Sequence, residues 1–241
     1  MCALMAAGLP TPQPVSAKSL AEVVDPGIVQ AMVVADFAGE PASSDARTVA
    51  DWVARSRDNA GLPYVIVDKN AARVFLFGAD GRLRGAAPAL LGSGIGDDSA
   101  DDIGQRRLAA IRPDERTTPA GRFQASLGHD FDQDILWVNY DISLSLHRVI
   151  DGKPKDRRHA RLASPTPNDN RISYGCINVP AIFYDTVVAP AFAGTVGIVY
   201  ILPETRSIAE VFALSMPATG GAPTSLRADA AGDDHPLAPQ Q

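Results

Sequence analysis

The sequence predicts a mainly β fold with short helices, preceded by a helical segment on its N-terminal side. Three observations predict it. From Pro63 onward the chain breaks into short β-rich runs separated by turn residues; helical patterning is concentrated in residues 18–60; and "ISLSLHRVI" alternates apolar and polar side chains with the two-residue period of a strand. At 241 residues the chain has room for one ordinary domain plus appendages, and can bury a core without disulfides.

The opening, "MCALMAAGLPTPQPVSAKS", has an apolar run from Met1 to Leu9 and a small-x-small pattern at Val15-Ser16-Ala17 but no basic n-region. Residues 1–17 are read as a truncated or late-started export signal, with a short disordered tail as the alternative; the run is too short to span a bilayer. Residues 18–62 form an N-terminal helical cover. Within it, "SLAEVVDPGIVQAMVVADF" is interrupted at Pro26-Gly27, and "SSDARTVADWVARSRDN" takes Ser44 as its N-cap with Val49, Trp52 and Val53 on one face.

Residues 63–215 form the main domain. "YVIVD", "RVFLFG" after the Asn70-Ala71-Ala72 turn, and "RLRGAAPALLG" after Ala79-Asp80-Gly81 are successive antiparallel strands. A polar loop, "GSGIGDDSADDIGQ", leads into "RTTPAGRFQASL", "DILWVNYD" and "ISLSLHRVI". In the last of these Leu144 and Leu146 share one face, and Ser143, Ser145 and His147 the other. Pro180 opens a helix, "PAIFYDTVVAPAF", where its missing N–H is not needed. "TVGIVYIL" is a buried strand, and "SIAEVFALS" a short helix. Residues 216–241, rich in Ala, Pro and Gly, are read as a disordered tail.

Composition narrows the function. A formal charge of −6 and the lack of aromatics interleaved with basic residues argue against nucleic acid as a partner. No stretch approaches transmembrane length, so no stable membrane span is expected. Cys2 and Cys176 are the two cysteines; no disulfide is expected, and no Cys/His spacing builds a zinc site. Asp97, Asp98, Asp101 and Asp102 do not make a calcium loop: counted from Asp97, the sixth position is Asp102 rather than glycine and the twelfth is Leu108 rather than glutamate. The acidic loop is read as solvated. The basic stretch "KPKDRRHAR" is either a solvated surface loop or an overhang that attracts a carboxylate-bearing ligand, since arginine forks match carboxylates.

Cys176 stands in "RISYGCINVP". A free cysteine is ordinarily a small buried hydrophobe, but its neighbours here suit a nucleophile. Gly175 permits a close or unusual backbone turn, the "SYGC" segment can aim N–H groups at a developing oxyanion, and the positive end of the Pro180 helix lies downstream. A thiol of ordinary pKa needs a base. Of the four histidines, His235 lies in the tail and His129 in a Gly-Asp turn; His147 sits on the polar side of a strand end, and His159 inside the basic loop. A strand holds an imidazole more rigidly, which favours His147 and leaves His159 as the alternative.

These segments resemble the L,D-transpeptidase catalytic domain (YkuD type) of bacterial cell-wall enzymes. "LSLHRV" resembles that family's histidine segment and "SYGCIN" its cysteine segment, with Tyr174 standing where the family has histidine. "YVIVDKNAARVFLFGADGRL" is similar to its opening hairpin, and "TTPAGRF" to its Thr-Pro-x-Gly-x-Phe turn, so the likeness spans roughly residues 63–203. The resemblance implies a β-sandwich with short helices, and a cysteine-dependent acyltransferase in which Cys176 is the nucleophile and His147 the general base. It further implies Gly175, Tyr174 and Ser173 as oxyanion or positioning residues, and Arg148, Asn178 and Arg171 as substrate-binding residues. No cofactor and no metal are implied. The implied partners are peptidoglycan stem peptides, and the implied location is periplasmic or exported, at the cell wall. A carboxypeptidase or hydrolase using the same cysteine, or a non-catalytic peptidoglycan-binding module, are the alternatives.

Overall fold

The computed structural model describes residues 34–130 and 132–213. The readings of residues 1–17 and of the 216–241 tail, and most of the helical reading of the segment from Ser19 to Phe37, lie outside the described residues. β1 (Tyr64–Asp68) and β2 (Arg73–Phe77) form a hairpin in register from Tyr64↔Phe77 to Asp68↔Arg73. β3 (Leu83–Pro88) adds to β2; the short β4 (Leu91–Gly92) follows; β5 (Gly121–Asp130), β6 (Gln133–Asn139) and β7 (Leu144–Arg148) form a meander. β8 (Arg171–Ser173) pairs with β4, β9 (Ile177–Val179) runs parallel to β7, and β10 (Val196–Ile201) lies between β1 and β5. The result is an eight-stranded sheet of order β3-β2-β1-β10-β5-β6-β7-β9, with β4-β8 as a separate pair.

Alternation along the strands divides the apolar side chains between two cores. Val65 and Val67 of β1 meet Val74 and Leu76, and the same core holds Leu136, Leu146, Ile177 and Val179 from the far half of the sheet. The sheet therefore curls until its halves face each other, which is the sandwich the resemblance implied. Leu90 exchanges both backbone hydrogen bonds with Asn178, at 2.8 and 2.9 Å, tying the chain beyond β3 to β9 at the opposite edge. Tyr64, Ile66, Phe75, Phe77 and Tyr200 point the other way and are covered by Val49 and Val53 of the Ser44–Ser56 helix and by Phe212. Fully burying each such Val or Phe contributes about 1.5–3 kcal/mol.

Several local expectations change. Ser43, not Ser44, caps the first helix: it has the extended backbone an N-cap needs, and its hydroxyl accepts from Ala46 N at 3.1 Å. The Ala35–Phe37 stretch is not helical, because Asp36 bridges to Arg82 beside β3. "RLRGAAPALLG" is two strands rather than one, divided where Leu90 leaves β2's partner to meet Asn178. His129 lies within β5 rather than in a turn. Pro180 takes the N-cap rather than the first helical position, and the helix it opens, Ala181–Phe183, runs through a π turn at Tyr184–Val188 into Ala189–Phe192. Pro190 has no N–H for the helical ladder, and the widened turn stands just ahead of it.

The acidic loop holds the largest departure, although Asp98, Asp101 and Asp102 are exposed as read. Asp97 is buried, not solvated: its carboxylate takes Lys69 Nζ at 2.7 Å, the Thr205 hydroxyl at 2.6 Å, and the N–H groups of Glu204, Thr205 and Arg206 at 2.8, 2.9 and 2.8 Å. Burial alone would raise the Asp97 pKa, but the Lys69 ammonium, the Thr205 hydroxyl and the backbone donors hold it well below the usual carboxylate range. Lys69 spends its remaining donors on Gly96 O (2.7 Å) and Thr118 O (2.9 Å). A buried lysine with all its protons placed is a structural post.

Candidate active site

Cys176 sits in the short connection between β8 and β9, so two strands of different pairs fix its backbone from either side. Ser173 shapes that connection. Its hydroxyl donates to Cys176 O at 2.6 Å and accepts from Gly175 N at 3.1 Å, closing a tight turn. Gly175 has φ +135°, and a Cβ there would stand 2.7 Å from Thr117 O; only glycine takes that conformation against that neighbour without strain. The Gly175 carbonyl accepts from Thr118 Oγ1 at 2.7 Å, and Thr118 Oγ1 accepts from Gly92 N at 2.9 Å. Since Thr118 O is held by Lys69, a continuous chain of bonds runs from the buried ammonium to the cysteine turn.

β7 supplies the other side of the site. Ser145 and His147 project from the same face, two residues apart, as the strand period requires. Ser145 Oγ lies 3.4 Å from Cys176 Sγ, and the sulfur is 3.6 Å from Ser143 O. His147 Nδ1 is 2.7 Å from Arg148 O; a carbonyl only accepts, so Nδ1 carries the proton and Nε2 presents its lone pair. Burial alone would raise the Cys176 pKa, but hydrogen bonding and charge interaction with His147, together with the Ser145 hydroxyl and N–H, hold the thiol below its usual range.

A cleft of about 160 Å³ opens onto Cys176, with Ile103, Ile111, Ile142 and Leu144 among its lining residues. Tyr174 stands at its mouth, half exposed, with the Arg116 guanidinium 4.2 Å above its ring. Tyr174 is thus paired with Arg116 rather than with the sulfur.

The structure sorts the other expected site residues. Gly175 N–H is spent on Ser173 Oγ, leaving the N–H of Cys176 itself as the turn's candidate oxyanion donor. Asn178, expected to bind substrate, is buried; its Nδ2 is 3.3 Å from His147 Nε2 and donates to Cys176 O at 3.2 Å. Arg148 is not free for a ligand: it donates to Asp134 (2.9 Å) and Asp185 (2.7 Å) and lies over the Tyr184 ring at 4.2 Å. Burial opposes its charge, but the two carboxylates raise its pKa above the usual value. Arg171 is likewise structural, paired with Glu204 and donating to Lys69 O at 3.1 Å. In both cases a carboxylate of this chain occupies the fork that a ligand would need.

His159 bonds Asp151 at 2.9 Å in an exposed position and does not line the cleft. The basic loop does not overhang the cleft either; its Lys153, Lys155 and Arg157 are exposed, and Arg161 is tied to Asp156 O and Asp169 O at 2.9 and 2.8 Å. β9 separates Cys176 from Pro180, so the helix end stands about 13 Å along the strand from the cysteine backbone, at roughly 3.3 Å per residue. The partners of the sulfur come from β7 instead. Ser145 and Thr118 escaped the sequence reading as site residues, although Ser145 was placed on the His147 face and Thr118 lies in the "TTPAGRF" turn. Among the described residues no three His, Cys, Asp or Glu side chains converge where a metal ion would fit, and no helix is long and apolar enough to cross a membrane.

No family model and no curated protein matches the chain. Solved structures do. The helical cell shape determining protein Pgp2 from Campylobacter jejuni is 13% identical with TM-score 0.39, the match covering 61% of this chain and 49% of that one. An L,D-transpeptidase from Xylanimonas cellulosilytica is 15% identical with TM-score 0.34, covering 58% and 60%. The catalytic domain of an L,D-transpeptidase from E. faecium is 15% identical with TM-score 0.32, covering 58% and 95%. The chain thus spans about half the length of the Pgp2 structure it matches. At such identities the chemistry has to be read from this chain's own side chains.

Proposed function

We propose that this chain is a cysteine acyltransferase of the cell wall, an L,D-transpeptidase acting on peptidoglycan stem peptides. The observation that carries the reading is the Cys176 thiol set beside Ser145 and a His147 whose Nδ1 is tied to Arg148 O. That arrangement is a nucleophile, a base whose Nε2 is unprotonated, and an orienting acceptor for the base's other nitrogen.

In the proposed reaction, His147 Nε2 gives up its long 3.3 Å contact with Asn178 Nδ2 and takes the Sγ proton, and the thiolate attacks the carbonyl of the L,D bond at the third residue of a tetrapeptide stem. The Cys176 N–H stabilises the oxyanion, and the imidazolium returns its proton to the departing D-alanine amine. The acyl group then waits as a thioester on sulfur until an amine from another stem peptide or a protein lysine accepts it.

The test is incubation of the purified protein with muropeptides, with the products read by mass. Crosslinked dimers that vanish in Cys176→Ala support transfer. Shortened monomers without dimers would replace it by hydrolysis, and unchanged substrate would replace both by a binding role.

A further inference from the structure

We propose that Arg158 is a positioning residue for His147, acting through the side-chain amide of Asn178. The proposal rests on the reading of His147 as the proton acceptor of Cys176, and it concerns what keeps that acceptor in its working form.

Asn178 is a buried amide with two chemically different ends. Its Oδ1 accepts from Arg158 Nη1 at 3.0 Å, while its Nδ2 faces His147 Nε2 at 3.3 Å and Cys176 O at 3.2 Å. A guanidinium has donors and no acceptors, so it tolerates only the amide oxygen; the nitrogen must then face the histidine. An N–H donor aimed at Nε2 is compatible only with an unprotonated Nε2. The Nδ1 contact to Arg148 O, at 2.7 Å, requires the same tautomer from the other side of the ring. Arg158 therefore fixes the amide, and the amide fixes the imidazole.

The fold makes room for this reach. Arg158 begins the Arg158–Leu162 helix, directly after Arg157 in the left-handed region at φ 50°. Gly152 lies across its path, where a Cβ would stand 2.9 Å from Arg158 Nε, and glycine already takes φ +64° there. The other cations of the loop do not make this contact: Arg161 is tied to backbone carbonyls, and Lys153, Lys155 and Arg157 are exposed. One function of the long interval between His147 and Cys176 is thus to carry one arginine across to the strand that holds the amide.

The charged and titratable groups around His147 are the Cys176 thiol from the turn before β9, the Arg158 guanidinium, and the Arg148 guanidinium of β7. The last is neutralised by Asp134 of β6 and Asp185 of the helix after β9. Among the described residues Arg158 pairs with no carboxylate, so its Nη1 is left for the Asn178 amide.

Nitrogen-15 NMR of the histidines in the full chain tests this; it reads the ring tautomer and does not require turnover. Arg158→Ala is expected to reduce the Nδ1–H tautomer of His147. Arg158→Gln keeps an N–H donor for Oδ1, so the tautomer is expected to persist. Arg157→Ala removes a neighbouring exposed charge and is expected to leave it unchanged. A folded Arg158→Ala protein with the wild-type tautomer would overturn the proposal; should that variant fail to fold, loss of the Nδ1–H tautomer in Arg158→Gln would do so. Alkylation of Cys176 in His147→Ala separates the two readings. An unchanged rate there removes the acceptor role of His147, whereas the tautomer reports on Arg158 independently.

Discussion

Thr118 and Gly175 are joined by a 2.7 Å hydrogen bond from the threonine hydroxyl to the glycine carbonyl, and the same oxygen accepts from Gly92 N at 2.9 Å. One buried hydroxyl thereby ties the cysteine turn to β4, and the backbone carbonyl of the same residue joins it to the Lys69–Asp97 post. Thr118→Val keeps the shape and removes both bonds, leaving a buried N–H and a carbonyl without their partner. The expected cost is about 1–3 kcal/mol in urea unfolding, together with slower alkylation of Cys176 at neutral pH. An alkylation rate equal to wild type would mean that the turn holds its shape without Thr118.

Gly175→Ala tests the turn from its backbone. The substitution puts a side chain at φ +135° and its Cβ 2.7 Å from Thr117 O, so either the turn or the Thr117 strand entry has to move. A destabilisation of about 1–3 kcal/mol is expected from the backbone strain alone. Circular dichroism melts check stability, and the loss of thiol reactivity reports the displaced sulfur. Wild-type values for both would contradict the stated role of the glycine.

What the sequence made legible follows the periods of its elements. Strands such as "YVIVD" and "TVGIVYIL" carry apolar residues in continuous runs because both faces are covered, and "ISLSLHRVI" disclosed His147 and Ser145 on one face through alternation. What stayed hidden depends on contacts distant in sequence. Nothing local distinguishes Asp97 from Asp98, yet one closes a buried ion pair with Lys69 and the other faces water. Arg148 and Arg171 look like ligand forks until Asp134, Asp185 and Glu204 are found already occupying them. The role of Asn178 depends on Arg158, twenty residues upstream, crossing to it.

Acid is expected to unfold this protein through Asp97. Its folded pKa lies below the unfolded value of about 4, because Lys69, Thr205 and the 204–205 backbone favour the carboxylate. A depressed acid contributes stability that is fully present above the unfolded pKa and is lost as pH falls through the folded one. Urea midpoints should therefore hold steady from about pH 7 to 5 and fall below about pH 4. Asp97→Asn removes a partner of buried Lys69 and should cost about 3–5 kcal/mol at neutral pH, while flattening the acid limb. An acid limb unchanged in that variant would assign the effect to other carboxylates.

Ser145 and His147 both lower the Cys176 pKa, with His147 the larger contributor. Ser145→Ala is expected to move the pH midpoint of iodoacetamide alkylation upward, and His147→Ala to move it further, since burial then acts with less opposition. His159→Ala should leave the curve in place, because that ring is tied to Asp151 at 2.9 Å. A curve that shifts only in His159→Ala would transfer the role to the basic loop.

Tyr174 is the residue at which this chain departs from the resemblance, and its surroundings say what the ring does. It is 37% exposed, and Arg116 lies 4.2 Å over its face while donating to Ile111 O at 3.1 Å. The ring thus joins the cysteine turn, through Arg116, to the Ile111 segment that also lines the cleft. Since the contact uses the ring face, Tyr174→Phe should preserve both folding and thiol reactivity. Tyr174→Ala should cost about 0.5–1 kcal/mol and loosen the mouth, read as faster alkylation by bulky maleimides with the small iodoacetamide unaffected. Tyr174→His should leave the alkylation pH curve where it is, since position 174 faces Arg116 rather than the sulfur. A downward shift of that curve in the histidine variant would place the side chain against Cys176 and overturn this assignment.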